Sequence, residues 1–372
     1  MNRLIYAASE GNADLFYATR FLAPDPFLYF EKNGRRHIAL SSLEFGRARK
    51  QAQVDEVILQ PGPTRHRRGR LCHITTPDWI ASLLKKRGLR AAWVSPSFPL
   101  GLADNLRRRG LKLKVAPNGL FPERETKRPH EIAAIRRALK VTAELLKCAM
   151  DMIRRSRARR DGVLMLNGDV LTSERIQACI RTEAARRGYE AIHPIVAGGK
   201  QACDPHERGH GPLRARELII LDIFPRDLKT GYWGDMTRTV IKGRASDAQR
   251  RQFQTVRQAQ KLAISRLRAG VDGRPVHQGV EKFFQGRGYS TSQSGGQHQG
   301  FFHGTGHGLG LEIHERPRIG AVHQKLRAGH VVTVEPGLYY PVVGGVRIED
   351  VALVERGGCR LLSYLPVRLE ID

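Results

Sequence analysis

No apolar run in this chain approaches the roughly 18 to 20 residues needed to cross a bilayer. The opening MNRLIYAASEGNADLFYATR carries Glu10 and Asp14 where a secretory leader would have its apolar core. Both absences point to a cytoplasmic protein without membrane contact. Cysteine is scarce as well: Cys72, Cys148, Cys179, Cys203 and Cys359 are scattered, odd in number and never spaced as CxxC. Neither a disulfide framework nor a thiolate zinc site is indicated, and the thiols read as reduced and mostly packing. Negative charge is also short, because 63 Lys and Arg against 36 Asp and Glu leave a net +27. That balance attracts nucleic acid and anionic surfaces. Aromatics are only 7% of the chain, however, and the dense basic runs RHRRGR (65–70) and RRSRARRD (154–161) contain none that could stack on bases. The excess charge reads as a dispersed, solvated surface that would meet nucleic acid nonspecifically.

What is present is a globular pattern in two parts. At 372 residues and 41% hydrophobic, the chain can bury two domains. Up to about residue 120, the short apolar runs FLYF, HIAL, VILQ, AAWV and LKLKV are separated by polar helical stretches such as TPDWIASLLKKRG. Strands alternating with helices predict an α/β domain over 1–120. APNGLFPERETKRP, rich in Pro, Gly and charge, reads as a linker. A second domain over 125–372 opens with a long amphipathic helix, marked by Ile132, Ile135, Leu139, Leu146, Met150 and Ile153 and started by Pro129. TSERIQACIRTEAARRG, SDAQRRQFQTVRQAQKLAISRLRAG and PVHQGVEKFFQGRG are further helices. ELIILDI, YWGDMTRTVIKG, VVTVEPGLYY and GGVRIEDVALV are strand candidates. The second domain is therefore expected to be α+β, with helices around a mostly antiparallel sheet. No internal repeat is visible.

Four acidic residues stand out. Asp222 ends ELIILD and Asp235 follows a turn containing Pro225 and Gly231, so a hairpin could set the two carboxylates side by side. Such proximity is costly unless a cation lies between them. Glu335 in VTVEPGLYY and Glu349 in VRIEDV are carboxylates within β-branched strand patterns, where an inward glutamate needs a partner. The stretch FFHGTGHGLGLEIHERP adds His303, His307 and His314 among glycines. Hard carboxylate oxygens with one imidazole suit two divalent ions, manganese first, with cobalt, zinc or iron(II) as alternatives. Gly304, Gly306, Gly308 and Gly310 read as giving backbone conformations closed to other residues, ahead of a strand-like LGLEIHE.

In that order, LDIFPRDLKTGYWGDMTRT, HGTGHGLGLEIHE, VEPGLYY and VRIEDV resemble the metallopeptidases of the pita-bread fold, closest to the prolidase-like Xaa-Pro peptidases and, beyond them, aminopeptidase P and creatinase. The resemblance covers about residues 125 to 372, and the upstream α/β segment matches in size and place. It implies that Asp222 binds a first metal, that Asp235 and Glu349 bridge two, and that His307 and Glu335 complete the second. It implies a reaction in which a hydroxide held between the ions attacks an Xaa-Pro bond, with Glu335 moving the proton and His314 stabilising the oxyanion. His206 in CDPHERG and His303 are implied at the substrate, and Arg347 beside the metal-site carboxylates. A homodimer is implied by the same likeness. One departure is that thirteen positions separate Asp222 from Asp235, two more than usual in the family, and Phe224 replaces a glycine. Asp227, inside the longer hairpin, is an alternative first ligand. Two rival readings are a metal-dependent hydrolase or lyase of this fold acting on a non-peptide substrate, and a non-catalytic pita-bread module that binds other macromolecules.

Overall fold

The computed structural model describes residues 2–372 except 62–63, 66–70, 73–74 and 295, and gives no side chains at 64, 65, 71, 72, 294 and 297. Nearly all of RHRRGR and the Cys72 thiol therefore lie outside the described residues. Two compact units follow one another along the chain, Met1–Arg124 and Glu125–Asp372.

In the first unit the strands Leu4–Ala7, Phe27–Lys32, Arg35–Leu40 and Glu56–Leu59 form one sheet, antiparallel except for its last pair. Asn33 and Gly34 both have positive φ and close the tight hairpin between the second and third strands. Successive residues of FLYF are buried on opposite faces: Leu28 and Phe30 pack with Trp79, Ile80 and Leu106, while Phe27 and Tyr29 pack with Leu15, Phe21 and Ile38. This burial on both faces is why the run is continuously apolar rather than alternating. The expected linker is not loose. Its Ala116, Leu120 and Phe121 belong to this unit's core, because three apolar side chains among the prolines and glycines outweigh the turn composition around them.

The second unit is α+β, with two larger sheets each backed by two helices. One sheet contains Ile195–Gly198, Ile219–Ile223 and Met236–Lys242, with Glu370–Ile371 at its edge. Against it lie the helices Pro129–Arg155 and Ser173–Arg186, through Leu145, Leu146, Ile153, Ile176 and Ile180. The other sheet runs Glu315–Ile319, Gly306–Gly308, Val331–Val334, Asp350–Val354, Cys359–Leu361. The helices Asp247–Arg266 and Gly273–Gln285 cover it through Phe253, Val256, Val280 and Phe284. Each helix begins at a side-chain or proline cap, including Pro129, Thr172, Ser246 and Asp272. RRSRARRD leaves the first helix with its arginines exposed. No helix is long and apolar enough to cross a membrane among the described residues.

Three local expectations change. VVTVEPGLYY and GGVRIEDVALV are each two strands rather than one: Val331–Val334 with Gly337–Tyr340, and Gly344–Arg347 with Asp350–Val354. Val334 pairs with Asp350 and Gly337 with Arg347, so the register continues across the gap and sets Glu335 opposite Glu349. The ladder breaks there because Pro336 has no N–H to donate, while the Glu335 and Glu349 N–H groups turn to Thr305 and Thr237. Second, LGLEIHE is not a strand. Pairing slips after His307 and resumes at Glu315, and the chain bends in between. Third, Gly304, Gly306, Gly308 and Gly310 all have ordinary negative-side or extended φ. Their constraint is steric: a Cβ on Gly306 would sit 2.0 Å from the Thr333 carbonyl oxygen, and one on Gly308 would sit 2.3 Å from that of Arg316.

Candidate metal centre

A cavity of about 590 Å³ opens in the second unit, and nine residues singled out from sequence line it: His206, Asp222, Asp235, His303, His307, His314, Glu335, Arg347 and Glu349. The aspartates come from the strand pair Ile219–Ile223 and Met236–Lys242. Asp222 lies opposite Thr237, which puts Asp235, two residues before Thr237, diagonally across on the same face. Helix Pro129–Arg155 supports this corner. A Cβ on Gly234 would sit 2.3 Å from Thr142 Oγ1, and the Tyr232 hydroxyl hydrogen-bonds Glu131. Within the connection between the two strands, Arg226–Asp227 pairs with Tyr189–Glu190. Asp227 is thereby excluded as a ligand: its carboxylate accepts the Lys229 and Thr230 N–H groups and the Tyr189 hydroxyl.

The other donors arrive from the second sheet. His307 Nδ1 donates to the Gly308 carbonyl at 3.1 Å, which leaves Nε2 facing Glu335 Oε1 at 3.2 Å and Asp235 Oδ2 at 3.7 Å. An imidazole pinned by one nitrogen, with the other turned to carboxylates, is the usual posture of a metal ligand. Ligand atoms of Asp235, His307 and Glu349 all lie within 4.8 Å of one another. Thr333 accepts the His307 N–H and donates to Glu335 Oε1, and Thr237 donates to Glu349 Oε2 at 2.8 Å. Arg347 donates to Asp222 Oδ2 at 2.6 Å, to Thr237 Oγ1 and to the Tyr339 hydroxyl. Tyr339 in turn donates to His303 Nε2 at 2.8 Å, since His303 Nδ1 gives its proton to the Gly304 carbonyl. Behind the glutamates the fully buried Arg238 donates to the Glu349 carbonyl and to Asp350, and Gln260 reaches the Val334 carbonyl and Asp350.

This arrangement is electrostatically unfinished without a cation. Burial first, and then the charge of Asp222, pushes Asp235 well above the usual carboxylate range; burial and then Asp235 do the same to Glu349. Burial also raises Glu335, but the hydrogen bond and charge of His307 outweigh it and bring the carboxyl down to about 2. Asp222 Oδ1 is buried and accepts no hydrogen bond. A donor set of carboxylate oxygens and one imidazole nitrogen, with an orphaned oxygen and two carboxylates that resist ionising, fits a divalent cation. Burial holds His303 and His314 near 4, so both are neutral at pH 7. The His314 ring meets His307 edge-on at 4.3 Å between centroids, and His206 is exposed at the mouth. Phe224, Phe302, Ile313 and Val322 supply apolar wall. Phe301 points away, into the core beside Phe284.

Residues 133–356, more than half of the chain, match metallopeptidase family M24. The chain belongs to this family. An M24 chain with this ligand set is a metal-dependent peptidase, and the non-catalytic module considered from charge is set aside. The chain is 26% identical over 280 residues to the Xaa-Pro dipeptidase of Pyrococcus horikoshii, covering 74% of each. Its fold superimposes on the X-Pro aminopeptidase of Thermotoga maritima with a TM-score of 0.82, covering 100% of this chain and 97% of the other at 22% identity. For the Xaa-Pro dipeptidase of Bacillus anthracis the values are 0.83, 100%, 95% and 22%. The M24 fold of a large pita-bread domain with a smaller N-terminal α/β region is thus the fold of this chain. Sequence reading missed Thr237, Thr333, Tyr339 and Arg318. The first three look like ordinary strand residues, and Arg318 is one arginine among many.

Proposed function

We propose that this M24 peptidase cleaves Xaa-Pro bonds, preferring dipeptides, with two divalent ions held by Asp222, Asp235, His307, Glu335 and Glu349 and with manganese as the first candidate. The observation that carries the reading is the convergence of all nine sequence-derived residues on one cavity. The names of the Pyrococcus and Thermotoga proteins support it. When bound, the ions supply Lewis-acid polarisation of the scissile carbonyl and a water acidic enough to lose a proton near neutral pH.

The chain's own groups do the rest. Glu335, held through Oε1 by the Thr333 hydroxyl, is placed to take the water's proton and return it to the leaving proline nitrogen. Neutral His314 offers one N–H to the developing oxyanion, and His206 contacts the substrate from the mouth. Phe224, Phe302, Ile313 and Val322 receive the proline ring, whose nitrogen has no proton to satisfy. His303, tied to Tyr339 and Gly304, orients the wall on that side.

Arg318 supports a dipeptide substrate. It lines the cavity on the strand opposite His307, and its guanidinium has no hydrogen bond or ion pair among the described residues. A free carboxylate one residue beyond the scissile bond is the anion within its reach. Metal analysis after gentle purification is expected to find near two ions per chain, with hydrolysis of Xaa-Pro dipeptides. A folded, metal-free protein that stays inert with manganese, cobalt or zinc would sink the proposal. Arg318→Met should erase the preference for dipeptides over their C-terminal amides. The proposal includes a cytoplasmic homodimer whose nucleic-acid affinity is weak and steeply salt-dependent, checked by sedimentation and by titration with duplex DNA.

A further inference from the structure

The reading of five scattered, inert thiols fails at one place. Cys148 on helix Pro129–Arg155 and Cys179 on helix Ser173–Arg186 have their Sγ atoms 3.1 Å apart, and both are half-buried. The seam around them is well defined. Arg187 spans the two helices to Glu144 at 3.2 Å and also pairs with Glu183. One turn up from Glu144 is Cys148, and one turn down from Glu183 is Cys179, so the helices run antiparallel with ion pairs and thiols in successive layers. On the inner side Leu145, Leu146, Ala149, Ile176 and Ile180 are fully buried in a shared core, which fixes the separation of the helices. The remaining described cysteines, Cys203 and Cys359, have no sulfur neighbour.

We propose that Cys148 and Cys179 form a dithiol site, separate from the metal centre, that closes to an intramolecular disulfide when it meets a peroxide. In the first step the Cys179 thiolate attacks one peroxide oxygen and breaks the O–O bond, leaving a sulfenic acid and, after protonation, water. In the second, the Cys148 sulfur displaces the sulfenic oxygen as a second water, forming the S–S bond. Two thiols are oxidised by two electrons and one peroxide is reduced to two waters. Burial, and then the hydrogen bond with Cys179, push the Cys148 thiol up to about 12, which assigns the first attack to Cys179 and the resolving role to Cys148. The helix that carries Cys148 is the one against which Gly234 rests beside Asp235. Joining it to its neighbour restricts the unfolded chain and stiffens that support.

The test uses the full-length protein, reduced and then exposed to hydrogen peroxide in modest excess, blocked with iodoacetamide and mapped without reduction. We expect a peptide linking Cys148 to Cys179, two fewer alkylated thiols, and reversal by dithiothreitol. Cys148→Ser and Cys179→Ser should each abolish the link, and Cys203→Ser should retain it. The oxidised wild type should melt roughly 5 °C higher than the reduced form, with no such rise in either serine variant. Unchanged alkylation of both thiols, Cys179 over-oxidised to sulfinic acid without a link, or disulfides that join other cysteines would overturn the site. A link that leaves the melting temperature unmoved would overturn its role as a staple.

Discussion

Asp222 sits on an antiparallel ladder that ends at the pair Ile223 and Met236, with Asp235 one residue beyond that end and diagonal to it, whereas Glu335 and Glu349 face each other directly where a ladder is broken. The strand register aligns the aspartates, while the connection between them makes a side pairing of Arg226–Asp227 with Tyr189–Glu190. The glutamates instead owe their alignment to two ribbons, Gly337–Tyr340 and Gly344–Arg347, with equal arms on either side of a turn. Charge compensation also differs. Asp222 is ion-paired with Arg347, while among the described residues Asp235 and Glu349 have no ion pair with an arginine or lysine. Alignment by register therefore needs no cation, but ionisation of the inner carboxylates does.

The sharpest way to break this comparison is to remove one aspartate at a time. Asp235→Ala should lower kcat/KM by on the order of 10³ and reduce the metal content measured by elemental analysis. Asp222→Ala should cost more metal, because besides removing a ligand it leaves Arg347, a buried cation that opposes metal binding, without its partner. Equal losses in both variants would show that Arg347 does not distinguish the pair.

Thr237 joins the two pairs, since it lies opposite Asp222, donates to Glu349 and accepts from Arg347. Thr237→Val keeps the shape and removes both hydrogen bonds. Metal affinity measured calorimetrically should fall by roughly 10-fold to 100-fold, with a modest drop in the melting temperature of the metal-free protein from the two buried hydrogen bonds lost. A variant that binds metal as tightly as wild type would show that the two pairs act separately.

Much of this centre is legible in the sequence, because carboxylates inside apolar runs have few bland explanations. Asp222, Asp235, Glu335 and Glu349 are visible for that reason, whereas the choice of His307 over His303 and His314 rests on the resemblance to the pita-bread metallopeptidases. Thr237 and Tyr339 are not, because a threonine or tyrosine in a strand is what β-propensity alone predicts. The glycines of FFHGTGHGLGLEIHERP were noticed for the wrong reason. Composition signals that a side chain is absent, but only the approach of the Thr333 and Arg316 carbonyls shows what would collide with one. The Asn33–Gly34 hairpin was available from sequence as a turn dipeptide between two apolar runs. The division of the second unit into two helix-backed sheets was not, since a strand's residues do not say which sheet it joins.

The smallest effect separates the pairs by pH. His330 immediately precedes the strand Val331–Val334 that leads into Glu335, and it has no counterpart on the aspartate hairpin. Its Nδ1 accepts the Arg327 N–H, its Nε2 is buried without a partner, and burial followed by the Arg327 charge holds it down at about 4. Folding thus favours the neutral ring. Its contribution is fully present above the unfolded value near 6.5, is lost as pH falls from there toward 4, and levels off below. The loss should be about 1–3 kcal/mol, the upper figure being the whole shift converted at 1.36 kcal/mol per unit. Hydrogen exchange should show the glutamate strand loosening between pH 6.5 and pH 4 before the strands Ile219–Ile223 and Met236–Lys242 do, and His330→Phe should remove that order. If the two regions loosen together in both proteins, the glutamate corner has no separate acid sensitivity, and the contrast between the pairs is confined to register and charge.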